Sequence, residues 1–195
     1  MDVLREVGNI GAGNAATALS RLLDKPVDMS VPTVSFVPFE SIADRVGGSE
    51  EVVVAVFLRV DGDAPGNMFF LMSQMQARLL LSGFAGLQSD DENGYSELEL
   101  SALCEIGNIL AGSYLSSLAD LTGLYLSPSV PQIAVDMAGA ILSYGLLQFG
   151  TMGDDALLID TTFLKDEREA EGHFYFIPDP DSFARLFVSL GVPLE

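Results

Sequence analysis

Two short stretches of this chain carry the same chemistry-bearing residues 99 positions apart. Glu6 and Asn9 in the segment EVGNIGAGN return as Glu105 and Asn108 in the segment EIGNILAGS. Residues 6–19 and 105–118 are identical at seven of fourteen positions, where about one identity is expected from ordinary composition. The chain therefore contains an internal repeat. Each copy offers a carboxylate and a carboxamide. We call Glu6 and Asn9 the first site, and Glu105 and Asn108 the second site.

The polar residues of each copy fall on one face of an ideal helix, within an arc of about 60°. In the first copy they are Asp2, Glu6, Asn9 and Gly13, and in the second they are Ser101, Glu105, Asn108 and Gly112. Apolar residues beside this arc are expected to face a core; they are Val3, Val7, Ile10, Ile106 and Ile109. Each motif helix is therefore predicted to present its acid and amide outward. Small side chains further along the same face would let a partner's surface approach closely.

Glycine in these segments opposes helix formation. Gly8, Gly11 and Gly13 each cost about 1 kcal/mol relative to alanine in a helix, so helix stability does not explain them. Close packing between helices is the favoured explanation for the glycines. A single glutamate is most often a solvated surface acid, but the in-register repetition of Glu, Asn and Gly favours a functional site.

At this point the residues resemble the signature of the CheC-like phosphatases of chemotaxis signalling. That signature is Asp or Ser, three residues, Glu, two residues, Asn, twenty-two residues and Pro. It is matched by Asp2, Glu6, Asn9 and Pro32, and again by Ser101, Glu105, Asn108 and Pro131. The likeness extends to the segments AGSYLSSLADLTG, VPQIAVDMAGAI and PDSFARLFVSLG. Two complete signatures distinguish the chain from FliM-like flagellar switch proteins, which share the fold without these pairs.

The resemblance implies a phosphatase that hydrolyses the aspartyl phosphate of the response regulator CheY. In-line attack by water requires mainly positioning and charge stabilisation, and an amide can orient the water as glutamine does in small GTPases. Asn9 and Asn108 are expected to play that part. Glu6 and Glu105 match the family's acid that contacts a lysine of the receiver domain.

The resemblance also implies further contacts. Asp2 and Ser101 are expected to be supporting or contact groups, and the Mg²⁺ of the reaction is expected on CheY, with no cofactor bound by this chain. The segment around Asp136 resembles the region that binds the deamidase CheD, although Asp136 could instead cap a helix beginning at Met137. The alternative function is a noncatalytic module, related to the flagellar switch proteins, that binds CheD or phosphorylated CheY.

The expected fold is α/β (α+β), with a pseudo-twofold internal duplication and a mostly antiparallel central sheet flanked by helices. The two equivalent motif helices are expected to be exposed on one side. One domain, 1–195, is expected, with halves at about 1–93 and 94–195. Predicted helices are 3–23, 39–47, 73–84, 96–121, 137–149 and 180–190; predicted strands are a short one after Pro32, then 52–60, 67–72, 132–136, 156–164 and 173–178, with His173 at a strand end.

Composition narrows the class of protein. A chain of 195 residues that is 49% hydrophobic can bury a substantial core, and its positive mean hydropathy excludes acidic disorder. The net charge of −19 with few lysines favours a halophilic source, where salt screens self-repulsion, and disfavours nucleic-acid binding. We expect a cytoplasmic monomer without membrane insertion. The apolar stretch 137–153 contains several glycines and is expected to include a buried helix.

The sequence does not supply the full set of residues that other common catalytic or binding sites require. Cys104 and His173 are the single cysteine and the single histidine, so no zinc site is assembled from them. A Ser-His-Asp triad is left open by composition but has no nucleophile motif. Gly11, Gly13 and Ala16 spell a dinucleotide fingerprint, but the helical spacing around them is not that of the strand such a site requires.

The two sites are not expected to be equally active. The chain begins one residue before Asp2, whereas members of the family usually have about ten residues there. A short first turn frays, so Glu6 is expected to be held less firmly than Glu105. The second site is therefore expected to dominate.

Overall fold

The computed structural model describes residues 2–87, 94–149, 155–165 and 168–191. The α-helices in this part of the chain are α1 (Asp2–Leu23), α2 (Ile42–Arg45), α3 (Gln74–Leu80), α4 (Glu97–Thr122), α5 (Ala138–Phe149) and α6 (Pro180–Ser189). The strands are β1 (Asp28–Pro38), β2 (Val52–Gly62), β3 (Gly66–Ser73), β4 (Leu126–Pro128), β5 (Gln132–Met137), β6 (Asp155–Lys165) and β7 (Arg168–Pro178). A 3₁₀ turn (Phe39–Ser41) precedes α2, and a π-helical turn (Leu81–Ala85) follows α3.

The strands form one sheet in the order β1-β6-β7-β3-β2-β4, with β5 also paired to β2. Every pairing is antiparallel, as predicted. Exchanging β1, β2 and β3 with β5, β6 and β7 gives the same strand order. The reason is that β3 pairs with β7 at the centre, whereas β1 and β5 each pair with a strand of the other half. This symmetry is the one expected of two related halves, and the duplication itself stays a prediction.

Two apolar clusters place helices on both faces of the sheet. The motif helices α1 and α4 pack on one face, where Val7 and Ile106 join Val56, Phe70 and Phe174 in a buried core. On the opposite face, α2 and α5 cover a second core; its members include Ile42, Ile141, Phe57, Leu158 and Tyr175. Ala138, Ile141 and Leu142 of α5 thus belong to this core. Among the described helices, none has the combination of length and hydropathy that a bilayer crossing requires.

The first strand corrects a prediction. The sequence places a short strand after Pro32, but β1 runs over eleven residues and includes Pro32. Its pairing with β6 shifts register between Ser30 and Thr33. β1 forms one end of the sheet, and a bulge in an edge strand accommodates proline because no ladder hydrogen bond from its nitrogen is needed.

His173 is a second correction, because it lies inside β7 and not at a strand end. Its Nδ1 is 2.6 Å from Oδ1 of Asp160 on β6, and the hydroxyl of Thr33 donates a hydrogen bond of 2.6 Å to the other carboxylate oxygen. Burial alone would raise the pKa of Asp160, but the hydrogen bonds from His173 and Thr33, together with electrostatic attraction to His173 and Arg45, lower it. The sequence did not indicate this position for His173, because β7 begins at Arg168, in a polar stretch that precedes the apolar part of the strand.

Candidate functional site

The motif helices α1 and α4 pack directly against each other in antiparallel directions. The Ser117 hydroxyl on α4 donates a buried hydrogen bond of 2.9 Å to the carbonyl oxygen of Val7 on α1. One turn further along α1, Gly11 lies against Tyr114 of α4. The contact therefore moves toward the N-terminus of α4 as it moves toward the C-terminus of α1, and it fixes where the two sites lie relative to one another.

The four predicted site residues lie on the outer faces of this helix pair. Glu6, Asn9 and Glu105 are exposed, and Asn108 is half-buried. Within each pair the side chains are one turn apart, which places their Cβ atoms about 5–6 Å from each other. The helix contact places Asn9 and Asn108 about 11 Å apart along the helix axes, at a rise of about 1.5 Å per residue. The structure thus brings Glu6 to Asn9 and Glu105 to Asn108, but keeps the two pairs separate.

These four side chains are free to contact a partner. Among the residues that the structure describes, none forms a hydrogen bond or an ion pair with Glu6, Asn9, Glu105 or Asn108. Side chains that have no such partner within the described residues break no hydrogen bond or ion pair there when they engage another molecule. The arrangement is therefore suited to recognising a protein surface and to holding a water molecule between the amide and that surface.

The structure places the three predicted supporting or partner-contact residues, Ser101, Asp2 and Asp136, in different settings. Ser101 is exposed on α4, one turn before Glu105, as predicted. Asp2 begins α1, and its side chain lies outside the described part of the structure. Asp136 lies on β5, and its carboxylate accepts a hydrogen bond of 2.7 Å from the backbone N–H of Met137. Because α5 begins at Ala138, that amide belongs to the strand and not to the first helical turn.

The second motif helix has a well-defined start. Ser96 accepts a hydrogen bond from the backbone N–H of Glu99 at 3.3 Å, and the Glu99 carboxylate accepts one from the backbone N–H of Ser96 at 2.8 Å. This reciprocal capping box satisfies two amides that a helix otherwise leaves unpaired. It fixes the turns that lead to Glu105, so the geometry of the second site is held from its N-terminal side.

Cys104 and the signature proline lie beside the second site. The Cys104 thiol lies 4.0 Å from the carbonyl oxygen of Pro131. Burial, together with the neighbouring Glu105 carboxylate, raises the pKa of the thiol, so it stays protonated at neutral pH. Cys104 is thus a packing residue between α4 and the segment before β5, in keeping with its predicted role as an ordinary helix residue.

Glycines in the motif helices divide into two groups. A Cβ atom added to Gly107 would lie 2.6 Å from a side-chain atom of Val56 on β2, so Gly107 is required for packing against the sheet. Gly13 and Gly112 lie on the same helix faces as Asn9 and Asn108, and an added Cβ would meet no atom within 4 Å at either of them. Packing within the described structure therefore does not explain these two glycines.

The prediction that the apolar residues beside the polar faces are buried is only partly confirmed. Val7 and Ile106 are buried in the core, and Ile109 is half-buried. Val3 and Ile10 are 38% and 37% exposed, so the prediction that they face a core is wrong. The packed face of α1 is narrower than the apolar pattern indicates, because among the described elements its main contacts are with α4 and with β1 at the edge of the sheet.

Solved structures first define the class of protein by its fold. Thermotoga maritima FliY is similar with a TM-score of 0.71 and 22% identity, over 97% of this chain and 94% of that one. The middle domain of FliM from H. pylori gives a TM-score of 0.65 and 10% identity, over 96% and 98% of the two chains. At these identities the likeness concerns the fold, which is that of the FliY and FliM flagellar proteins.

Sequence comparison then defines the family. The model of the CheC-like family matches residues 1–36 and 98–135, the two stretches that contain both signatures. The protein named CheY-P phosphatase CheC from Bacillus subtilis is 44% identical over 198 aligned positions, which cover 100% of this chain and 95% of that protein. The chain belongs to the CheC-like family. The halophilic source, the cytoplasmic location and the monomeric state stay predictions.

Proposed function

We propose that this chain is a phosphatase that hydrolyses the aspartyl phosphate of the chemotaxis response regulator CheY. Full-length similarity to CheY-P phosphatase CheC supports the enzyme class and the substrate. The structural observation that carries the proposal is the pair of carboxylate and amide groups that lie one turn apart on each motif helix and have no hydrogen-bond or ion-pair partner among the described residues. Such groups fit a substrate that is itself a folded protein.

The proposed reaction is in-line displacement at phosphorus. The side-chain amide of Asn9 or Asn108 hydrogen-bonds a water molecule and aims its oxygen at the phosphorus atom. The new P–O bond forms as the bond to the aspartyl oxygen breaks, and the aspartate leaves as a carboxylate. The proton lost by the water passes to the phosphate product or to solvent. Positioning of this kind supplies much of the rate acceleration in phosphoryl transfer.

The glutamates are proposed to hold the receiver in register. Glu6 and Glu105 each lie one turn before the amide, so a lysine of the receiver that pairs with the carboxylate places the phosphoaspartate over the asparagine. Pairs of this kind contribute more to specificity and association rate than to affinity. Asp2 and Ser101 extend the same contact by one turn. The Mg²⁺ in this proposal belongs to the receiver, and no residue of this chain is assigned to it.

The direct experiment is the release of inorganic phosphate from phosphorylated CheY, with and without this protein, in the presence of Mg²⁺ at high salt. The proposal predicts acceleration above the autodephosphorylation of CheY. An unchanged rate, together with binding of phosphorylated CheY, would support the noncatalytic module instead.

We also propose CheD as a second partner, at the surface around Asp136. Asp136 borders a groove of about 500 Å³ between β5 and α5, with apolar walls formed by Phe57, Ile133, Ile141 and Tyr144. A carboxylate at the rim of an apolar groove is suited to protein recognition, since the apolar centre supplies affinity and the charge sets the register. Pull-down of CheD is expected to fail for Asp136→Ala and to persist for Asp120→Ala, an exposed acid on α4. Unchanged capture by Asp136→Ala would remove the assignment.

A further inference from the structure

The tripeptide Ser-Val-Pro is repeated in this chain beyond the catalytic signature. Ser30-Val31-Pro32 returns as Ser129-Val130-Pro131, at the same offset of 99 residues that relates the two Glu/Asn pairs. In the second copy, the structure gives Ser129 and Pro131 a role within the fold. The side chain of Val130, in contrast, is 83% exposed.

The segment that carries Val130 is firmly held. The backbone N–H of Ser129 donates a hydrogen bond of 2.8 Å to the Arg59 carbonyl oxygen, and the Ser129 hydroxyl accepts one of 3.0 Å from the Arg59 backbone N–H. The Arg59 guanidinium donates in turn to Asp179 at 2.7 Å. Val130 is therefore presented on a fixed segment, so its exposure is not a consequence of a loose loop.

The same segment borders the second site. Cys104, whose thiol lies 4.0 Å from the Pro131 carbonyl oxygen, follows Ser101 by three residues and precedes Asn108 by four. It is therefore one helical turn from each. Val130 is adjacent to Pro131, with about 3.8 Å between their Cα atoms. An exposed apolar side chain thus lies at the margin of the polar face that carries Ser101, Glu105 and Asn108.

We infer that Val130 is a docking residue for the receiver domain of phosphorylated CheY at the second site. The inference rests on the proposed function and adds a specificity-determining residue to it. The polar face itself offers Ser101, Glu105 and Asn108, and burial of an apolar side chain against the receiver contributes affinity that these polar groups alone do not. Val130 is assigned to binding and not to the chemical step, because its side chain carries no group that takes part in the reaction.

The test uses a variant in which only the second site operates, Glu6→Lys combined with Asn9→Ala. In that background, Val130→Thr replaces one methyl group with a hydroxyl at nearly constant shape, so the fold is retained. We expect the KM for phosphorylated CheY to rise roughly threefold to tenfold, with kcat unchanged within about twofold. Val188→Thr is the matched control, since Val188 on α6 is 67% exposed and lies outside both motif helices; its kinetic constants are expected to stay the same.

Failure of this inference is distinguishable from failure of the proposed function. An unchanged KM for Val130→Thr, a fall in kcat alone, or an equal effect of Val188→Thr would overturn the role of Val130. If neither the parent protein nor the background variant accelerated hydrolysis, the catalytic proposal would fail. Binding of CheY activated by beryllium fluoride would then decide the role of Val130: a weaker Kd for Val130→Thr supports it, and an unchanged Kd rejects it.

Discussion

Gly11 on α1 lies directly against the ring of Tyr114 on α4. A Cβ atom added at Gly11 would lie 2.3 Å from Cδ1 of that ring, so the two motif helices touch at a point where only glycine fits. The far end of the same tyrosine is also engaged, because its hydroxyl and the Thr161 hydroxyl form a buried hydrogen bond of 2.9 Å. Tyr114 therefore links α1, α4 and β6, and it sets the spacing between the two sites.

We expect Gly11→Ala to lower the free energy of unfolding by up to about 2 kcal/mol. Overpacking costs about 1–3 kcal/mol because it forces the helices apart, and the gain in helix propensity offsets about 1 kcal/mol of that cost. Gly13→Ala is the matched control, because an added Cβ there meets nothing within 4 Å, and it is expected to stabilise the protein slightly. Urea denaturation measures both variants. Equal stabilisation by the two substitutions would show that the Gly11 contact is not tight.

Gly112→Ala is expected to raise the stability of the protein and to lower its activity. Because Gly112 lies on the polar face of α4 with open space above it, alanine should raise the free energy of unfolding by about 0.5–1 kcal/mol. The added methyl group would stand between the helix and an approaching receiver. We therefore expect hydrolysis at the second site to fall roughly tenfold, as a misplacement of the reacting groups by about 1 Å can cost even more. A more stable variant with full activity would contradict close approach at this position.

Tyr114 predicts a specific loss of stability at alkaline pH. Burial raises the pKa of Tyr114 to about 12, although the hydrogen bond with Thr161 opposes the rise. Because the unfolded tyrosine titrates near pH 10, the unfolded state loses its proton first, and stability declines as the pH rises from about 10 to about 12. Tyr114→Phe lacks this contribution but loses a hydrogen bond worth about 1 kcal/mol.

The unfolding free energy of the wild type minus that of Tyr114→Phe, about 1 kcal/mol at neutral pH, should therefore fall by about 2–3 kcal/mol over that pH range and change sign. Urea denaturation at several pH values measures it. A difference that stays constant with pH would mean that this phenol titrates normally.

The two sites are expected to contribute unequally, with Asn108→Ala more damaging than Asn9→Ala. The reason is pre-organisation: the capping box of Ser96 and Glu99 fixes the start of α4, and Asn108 is half-buried whereas Asn9 is exposed. An amide held in one orientation aims water more effectively than one that samples several. Rates of hydrolysis of phosphorylated CheY by the single variants give the ranking. A larger loss for Asn9→Ala would reverse it.

The sequence predicted what depends on local periodicity. The polar faces of α1 and α4 follow from helical spacing alone, and the outward positions of Glu6, Glu105 and Ser101 agree with it. The antiparallel sheet was also predicted, because it was expected from the family resemblance and from strands that read as β-branched and apolar runs. Residue-level roles in catalysis stay predictions, since they depend on a partner.

The sequence could not predict features that depend on neighbours distant along the chain. Pro32 suggests a break, yet the bulge at the edge of the sheet admits it into β1. Strand β4 was missed because Leu126, Ser127 and Pro128 have no strand pattern and gain their order from pairing with β2. The different burial of Asn9 and Asn108 is likewise a tertiary effect.

The measurement that tests the central claim most directly is hydrolysis of phosphorylated CheY by the double variant Asn9→Ala, Asn108→Ala. Asn14→Ala is the control, because Asn14 is an exposed asparagine on α1 outside the polar face. If the two amides aim the attacking water, the double variant leaves phosphorylated CheY to decay at its own rate, while the control hydrolyses it as the parent does. A double variant that hydrolyses phosphorylated CheY as fast as the parent would contradict the account.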